Sequence, residues 1–343
     1  VRRVSIRKDV EAEQQVDELQ RALVRTQQAL GRANARSEDL VRAVYQAAHD
    51  ASLAAGRSSI VKSPKRASKR DAEVALLHLT DTHIGAKTSS YSTDVAEARI
   101  MATVRKTMML ADIQRADHAV DELVIILGGD LIEQTGQFPN QAWAVDASTF
   151  EQLFQAARIL ESAILTLATG FSRISVYLTP GNHGRVGRGK GRQSLDYESD
   201  TNWDRIIGRI IGERVEHQPG IEWVFPESWY QLISIGAYRC LAHHGDTIRS
   251  FGGSTPSYGI IKKHQAWASG VMPHFHDAYL GHFHVPMQLP LANGGRIFVT
   301  PSLVSDSAYA KEFVAATSLP AQRLHFVDPD RGRVTAEYLV WVD

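Results

Sequence analysis

The chain has 343 residues, 43% apolar and 22% charged, a globular balance with room for about two domains and little scope for wholesale disorder. Its 38 Lys/Arg against 38 Asp/Glu exclude a uniformly basic nucleic-acid coat and a strongly acidic chaperone. A single cysteine, Cys240, excludes an internal disulfide framework and a cysteine-rich zinc module and fits a reducing, cytoplasmic setting. No run of 18 apolar residues is present, so no membrane span is expected, and no apolar signal core follows Val1–Ser5.

Residues 1–73 hold 15 Lys/Arg and 10 Asp/Glu, whereas 74–343 hold 23 and 28. The first proline is Pro64 and all six Trp lie beyond residue 140. From about Asp9 to Ala55 the composition is that of good helix formers, and a heptad frame fits. Val16, Leu23, Leu30, Ser37 and Val44 share one seam position; Leu19, Thr26, Ala33, Leu40 and Ala47 share the other. The spacing predicts a helical arm over 1–56, either a coiled coil pairing protomers into a homo-oligomer or one amphipathic helix packed on its own domain. Residues 57–73 are rich in Lys and Arg with Ser and Pro between them, the pattern of a solvated basic linker that can also meet phosphates.

From residue 74 the pattern becomes short apolar runs ending in small and polar residues. Val74–Leu79 precedes Thr80-Asp81-Thr82-His83-Ile84-Gly85, and Leu123–Leu127 precedes Gly128-Gly129-Asp130-Leu131-Ile132-Glu133. Ile174–Leu178 precedes Thr179-Pro180-Gly181-Asn182-His183-Gly184. Tyr238–Leu241 precedes Ala242-His243-His244-Gly245-Asp246, and Ala278–Leu280 precedes Gly281-His282-Phe283-His284. Five strand ends that each deliver Asp, His or Asn beside Gly are not a core-packing pattern. Ligands of open α/β sheets sit at the carboxyl ends of strands. Mixed imidazole and carboxylate donors suit Mn, Fe, Zn or Ni rather than Ca.

Asp81-x-His83, Gly129-Asp130, Gly181-Asn182-His183, His244-Gly245 and Gly281-x-x-His284 resemble, in order and spacing, the motifs of the calcineurin-like metallophosphoesterase superfamily. The resemblance covers roughly residues 74–305 and implies an α/β fold, a two-sheet sandwich flanked by helices. It also implies a two-metal centre on the loops at one end. One ion would take Asp81, His83, Asp130 and His284, the other Asp130, Asn182, His244 and His282, with Asp130 shared. Manganese comes first among the candidate metals. His183 would be the catalytic imidazole in a hydrolysis by hydroxide held between the ions.

The neighbouring His243 reads as structural, since the resembling ligand directly precedes Gly. The similar run Pro273-His274-Phe275-His276 lacks the glycine and the strand. Where many relatives carry an acid after the catalytic histidine, this chain has Gly184, and Asp200 or Asp204 are the candidates to orient His183 instead.

Arg185, Arg188, Lys190 and Arg192 alternate with glycines directly after His183, which suggests a grip on phosphate oxygens. Tyr197 and Trp203 offer stacking faces, or core. Arg249, in a second glycine loop, can bind phosphate or pair with Asp246. Residues 91–115 read as a helix and 323–340 as a closing hairpin.

The expected activity is that of a metal-dependent phosphodiesterase. A nuclease on DNA or RNA is the leading form, resembling the DNA-repair exonuclease and bacteriophage-encoded branches. A small-molecule phosphatase, a cyclic-nucleotide phosphodiesterase and an inactive scaffold of the same fold are the alternatives.

Overall fold

The computed structural model describes residues 39, 42–50, 58–62, 71–136, 141–186, 202–249, 256–305 and 319–343. Backbone proximity divides the chain into Val1–Ala47 and Ala48–Asp343. Most of the expected helical arm lies outside the described residues; residues 42–50 are helical. Most of the basic linker is likewise outside. Its described parts are 58–62 and 71–73: the second already enters the strand that begins at Ala72, and the first is tied down, the Ser58 carbonyl facing His217 Nε2 at 2.7 Å and the Val61 N–H donating to Gln218 Oε1 at 3.2 Å.

Among the described residues, eleven strands form two mixed sheets. The first contains β1 (Ala72–Leu79), β2 (Ala119–Leu127), β3 (Arg173–Leu178), β4 (Ile221–Val224), β10 (Ala321–Asp328) and β11 (Arg333–Trp341), in the order β11-β10-β1-β2-β3-β4. β1 to β4 are parallel, and β10 and β11 close the other edge antiparallel. The second contains β5 (Tyr230–Ile235), β6 (Tyr238–His243), β7 (Asp277–Leu280), β8 (Met287–Pro290) and β9 (Arg296–Val299), in the order β5-β6-β7-β9-β8. The hairpin expected at the C-terminus is β10–β11.

Burial explains the strand sequences. β1 is buried from its second residue onward; Val74–Leu77 run without a polar residue, as in a central strand covered on both faces, while Glu73 and His78 are buried polar members. β3, paired with the short β4, alternates buried and half-buried residues instead. Between the sheets pack Leu76, Val124, Ile126, Ile233, Cys240, Phe298 and Val327. That layer also holds polar groups, and they find partners: the Tyr238 hydroxyl donates to Asp277 Oδ2 at 2.9 Å, and Tyr279 meets His325 Nδ1 at 2.7 Å.

Three helices pack against the first sheet and one another: α1 (Thr93–Gln114), α2 (Thr149–Leu167) and α3 (Trp203–Val215). α1 fills the helix expected over 91–115 and turns Ala96, Ile100, Thr103, Val104, Thr107 and Ala111 inward, one helical stripe of small and β-branched side chains. Ser148 and Glu151 form a reciprocal capping box that starts α2, and Asn202 caps α3. α4 (Ser257–Ala266) covers the second sheet, where Ile260 and Trp267 meet Leu241, Ala278, Leu280 and Val299. Trp203 is buried against Phe150 at the start of α3, which makes it core rather than a stacking face. Tyr197 lies outside the described residues. No described helix is long and apolar enough to cross a membrane.

Candidate metal centre

The loops leaving β1 and β2 continue to hydrogen-bond beyond the sheet. The Asp81 N–H donates to Gly129 O at 3.1 Å, and the His83 N–H to Asp130 O at 3.0 Å. This ladder holds both loops in conformations that ordinary residues avoid. Seven described non-glycine residues have positive φ, and five of them are Asp81, His83, Asp130, His282 and His284. Left-handed backbone at non-glycine residues costs free energy and persists only where surroundings impose it. Its concentration on expected ligands marks the loops as built to aim these side chains.

The side chains converge. Asp81, His83 and His284 offer donor atoms within 4.8 Å of one another, as do Asp130, His244 and His282, and His83, Asp130 and His183. His284 Nε2 lies 3.3 Å from Asp81 Oδ1 and 3.1 Å from His83 Nε2. His244 Nε2 lies 2.9 Å from Asp130 Oδ2 and 3.2 Å from Asn182 Oδ1. All seven residues that the sequence assigned to the two ions therefore meet in one place, and Asp130 stands between the groups.

The donor chemistry fits cations. The His244 Nδ1–H donates to the Gly128 carbonyl at 2.9 Å, an acceptor only. A neutral His244 then points its Nε2 lone pair at a carboxylate and an amide oxygen, three acceptors facing one another. His83 repeats the arrangement: its Nδ1–H goes to Glu133 Oε2 at 2.7 Å, which leaves Nε2 a lone pair directed at His284 and the two aspartates. Such clusters of acceptors require protons or a metal ion, and a carboxylate holding the far nitrogen of a ligand histidine is a usual second contact in metal sites.

The titration behaviour follows the same logic. Burial disfavours charge on His83 and His244, but hydrogen bonds and negative charge from Glu133 and Asp130 outweigh it, so both are pushed up to about 9. Burial and the charge of His244 push His282 down to about 3. Burial also opposes ionisation of Asp81 and Asp130, yet the surrounding histidines hold both carboxyls well below the ordinary range. Protons thus take the places that cations would fill.

His183 is held at the rim. Its N–H donates to Asp130 Oδ1 at 2.7 Å and its Nδ1–H to the Glu133 carbonyl at 2.9 Å, while Nε2 faces Asp130 Oδ2 at 4.0 Å. Gln141 braces this contact by donating to Glu133 O at 2.6 Å and Glu133 Oε1 at 2.9 Å. These two residues do what was expected of Asp200 or Asp204. Asp204 acts elsewhere. Its carboxylate accepts the N–H groups of Asp130 (3.1 Å), Leu131 (3.0 Å) and Gly181 (2.8 Å), locking the second and third loops together. Asp200 lies outside the described residues.

Glu133 stands three residues after Asp130 on the same loop, and that spacing is the signal that could have singled it out. Gln141 carries no signal in the sequence.

The neighbouring histidines separate cleanly. His243 turns into the second sheet's core, 3.0 Å from His264 Nε2 and edge-on to Trp267. His276 packs on His274 and on Tyr238, and both histidines lie outside the three donor groups. The substrate-side expectations fare less evenly. Arg185 is buried and its guanidinium is paired with Asp246, so it joins the third and fourth loops instead of standing free for a phosphate. Arg249, which the sequence allowed to pair with Asp246, is exposed. Arg188, Lys190 and Arg192 lie outside the described residues.

No family model matches the chain and no curated protein matches it. Among solved structures it is similar to Vps29 of Entamoeba histolytica complexed with zinc, at 11% identity over 78% of this chain and 99% of that one, TM-score 0.33. It is similar to a Streptococcus pneumoniae protein described as a predicted phosphoesterase, at 12% identity over 78% and 98%, TM-score 0.30. A third is the 5'-nucleotidase of Candida albicans, at 11% identity over 82% of this chain and 52% of that chain, TM-score 0.37. At such scores these likenesses carry no inference about activity. The molecule itself has the architecture expected from the resemblance: two mixed sheets flanked by helices, with Asp, His and Asn donors on the loops at one end.

Proposed function

We propose that the chain is a dinuclear-metal-dependent phosphodiesterase acting on nucleic acid, a nuclease in the sense expected from its motifs. The observation that carries the proposal is the meeting of the Asp81–His83–His284 and Asp130–His244–His282 groups at the ends of parallel strands. Two divalent ions held there, manganese foremost, would supply an activated water and neutralise charge on a bound phosphate. The chain's own residues do the rest. Asp81, His83, Asp130, Asn182, His244, His282 and His284 hold and space the ions. Glu133 fixes the Nδ1 proton of His83 and, through its carbonyl, that of His183. With Nδ1 occupied, His183 presents Nε2 toward the centre, the position from which an imidazolium protonates a leaving oxygen. Arg249 and, of the basic run after His183, Arg188, Lys190 and Arg192 are the groups proposed to meet the phosphate backbone; Arg185, taken by Asp246, is not among them.

The test is hydrolysis by the manganese-loaded full chain of single-stranded DNA, double-stranded DNA, RNA and a chromogenic aryl phosphodiester. His183→Ala serves as the control, with metal content measured in parallel. The reading expects cleavage of the diester and of at least one polymer. It expects His183→Ala to lose a factor of about 10²–10⁴ in kcat with metal retained. Loaded protein that cleaves nothing would refute it, as would undiminished cleavage by the variant. Hydrolysis of the diester alone would leave the phosphodiesterase and remove the nuclease.

A further inference from the structure

We propose that Trp143 is the stacking platform for a nucleobase flanking the scissile phosphate, so that the centre selects single-stranded nucleic acid; this rests on the phosphodiesterase reading above. Trp143 is 88% exposed, the most exposed large hydrophobic side chain among the described residues. An indole left in water in this way is uncommon, because aromatic side chains carry the largest apolar surface a residue can bury. Its location is more telling than its exposure.

Trp143 ends the single 3₁₀ turn Gln141–Trp143. At one end of that turn the buried Gln141 holds Glu133 and has its Nε2 3.1 Å from His183 Nδ1. At the other end the Ala144 N–H closes on Gln141 O at 2.9 Å, and the Ala144 carbonyl accepts from the Lys87 N–H at 2.8 Å, on the loop that carries His83. The backbone of the turn is thus pinned between the loops of two expected ligands. Two peptide units, at most about 7.6 Å between Cα atoms, separate Trp143 from the residue that touches His183. Within this turn Ala142 and Trp143 are exposed, and the indole is the large side chain that faces solvent.

The surroundings favour a polyanion over an apolar partner. Lys87 is exposed beside the turn, and Arg249 is exposed on the loop that follows His244. A strand of nucleic acid offers phosphate to such cations and a flat π-face to an indole, the combination used in single-strand recognition. Bases inside a duplex are already stacked and cannot offer that face, which is why the preference falls on single strands.

The experiment compares wild type, Trp143→Ala and Trp143→Phe as manganese-loaded full chains. Each is given a single-stranded oligodeoxynucleotide, the same strand with abasic positions, and a chromogenic aryl phosphodiester. The readout is the ratio of kcat/KM for the oligonucleotide to that for the diester. Loss of one stacked base corresponds to about 5–150-fold by alanine substitution, so that ratio is expected to fall by such a factor in Trp143→Ala and to be largely restored in Trp143→Phe. The abasic strand should cost the wild type the same factor and the alanine variant nothing further. An unchanged ratio in Trp143→Ala overturns the proposal, and so does equal cleavage of intact and abasic strands by wild type. Diester hydrolysis accompanying either result shows that the platform failed and the phosphodiesterase did not; no hydrolysis of any substrate shows that the underlying reading failed.

Discussion

Gly281→Ala tests the centre through packing alone. Gly281 has an ordinary backbone conformation, so alanine brings no conformational penalty of the left-handed kind. Space is the obstacle. A Cβ at this position would stand 1.9 Å from Asp81 Oδ2 and 2.4 Å from Thr80 Oγ1. Ordinary contact begins near 3.5 Å, so the Asp81 carboxylate must retreat by about 1.6 Å. That carboxylate is held by the Thr80 hydroxyl at 2.7 Å and the His282 N–H at 3.0 Å, bonds that the retreat breaks or stretches. Overpacking costs about 1–3 kcal/mol, and charge-assisted hydrogen bonds are worth about 1.5–3 kcal/mol each. A stability loss of about 2–5 kcal/mol is expected. The sharper consequence concerns metal. Ligand distances tolerate only about 0.2 Å, far less than the forced displacement. Gly281→Ala should therefore lose manganese binding at the site served by Asp81, read by titration calorimetry or by metal content after gel filtration. Gly270→Ala is the matched control: Gly270 has φ +113° and no neighbouring atom within 4 Å, so alanine there strains the backbone by about 1–2 kcal/mol without touching the centre. Two manganese ions bound by Gly281→Ala with wild-type affinity would refute the reasoning.

Chelated protein should show a pH dependence that the loaded protein lacks. In metal-free protein the folded state raises His83 and His244 from 6.5 to about 9. A raised folded pKa contributes fully below 6.5 and is lost as pH rises through about 9, at up to about 3 kcal/mol per imidazole. Melting temperature of the chelated chain should therefore fall between pH 6.5 and 9, and bound manganese, which needs neutral imidazole, should abolish that slope; parallel profiles would count against cation sites at these residues. Asp204→Ala leaves three N–H groups of the second and third loops without their acceptor, and at about 1 kcal/mol per lost bond or more denaturant melts should show a loss of about 3 kcal/mol or greater. Asp204→Asn keeps one oxygen for two of those donors and should lose less. Gly184→Asp, which restores the acid common among resembling enzymes, should not improve catalysis. Its Cβ would stand 2.4 Å from Asn202 Oδ1, so the cap of α3 would be displaced at a cost of about 0.5–2 kcal/mol, visible as a lowered melting temperature without a gain in kcat.

The strands that carry the centre were legible because each is short, apolar and bounded by glycine and polar residues. The expected Leu123–Leu127 and Ile174–Leu178 are the C-terminal parts of β2 and β3 as observed. The donors were legible for a related reason: a ligand must follow its strand directly, so its place in sequence fixes its place in space. The bracing residues obey no such rule. Gln141 reaches Glu133 and His183 across loops, and Asp204 reaches Asp130 and Gly181 from the start of a helix. Side chains that accept backbone N–H groups are chosen by three-dimensional proximity, and nothing in local spacing announces them. Arg185 shows the converse error. Composition and position suggested a free cation beside the catalytic imidazole, but a buried Asp246, whose pKa burial pushes up to about 7 against the opposing charge of Arg185, takes that guanidinium.

These braces also decide how the centre responds to losing its ions. A site assembled by metal alone collapses on chelation, because binding energy and folding energy are then the same quantity. Here the left-handed conformations of Asp81, His83 and Asp130 are imposed by bonds that involve no ion: the ladder between the first two loops, the Asp204 carboxylate, and Gln322, whose Oε1 takes the Thr80 N–H at 2.7 Å. Strain of about 1–3 kcal/mol at each such residue is carried by the scaffold, not by the cations. The chelated protein should therefore keep its far- and near-ultraviolet circular dichroism and its cooperative melt. Its stability should drop by the linkage amount alone, about 2.7 kcal/mol per ion at free metal a hundredfold above Kd. Loss of near-ultraviolet signal on chelation would show that the ions, rather than these hydrogen bonds, hold the five loops in register.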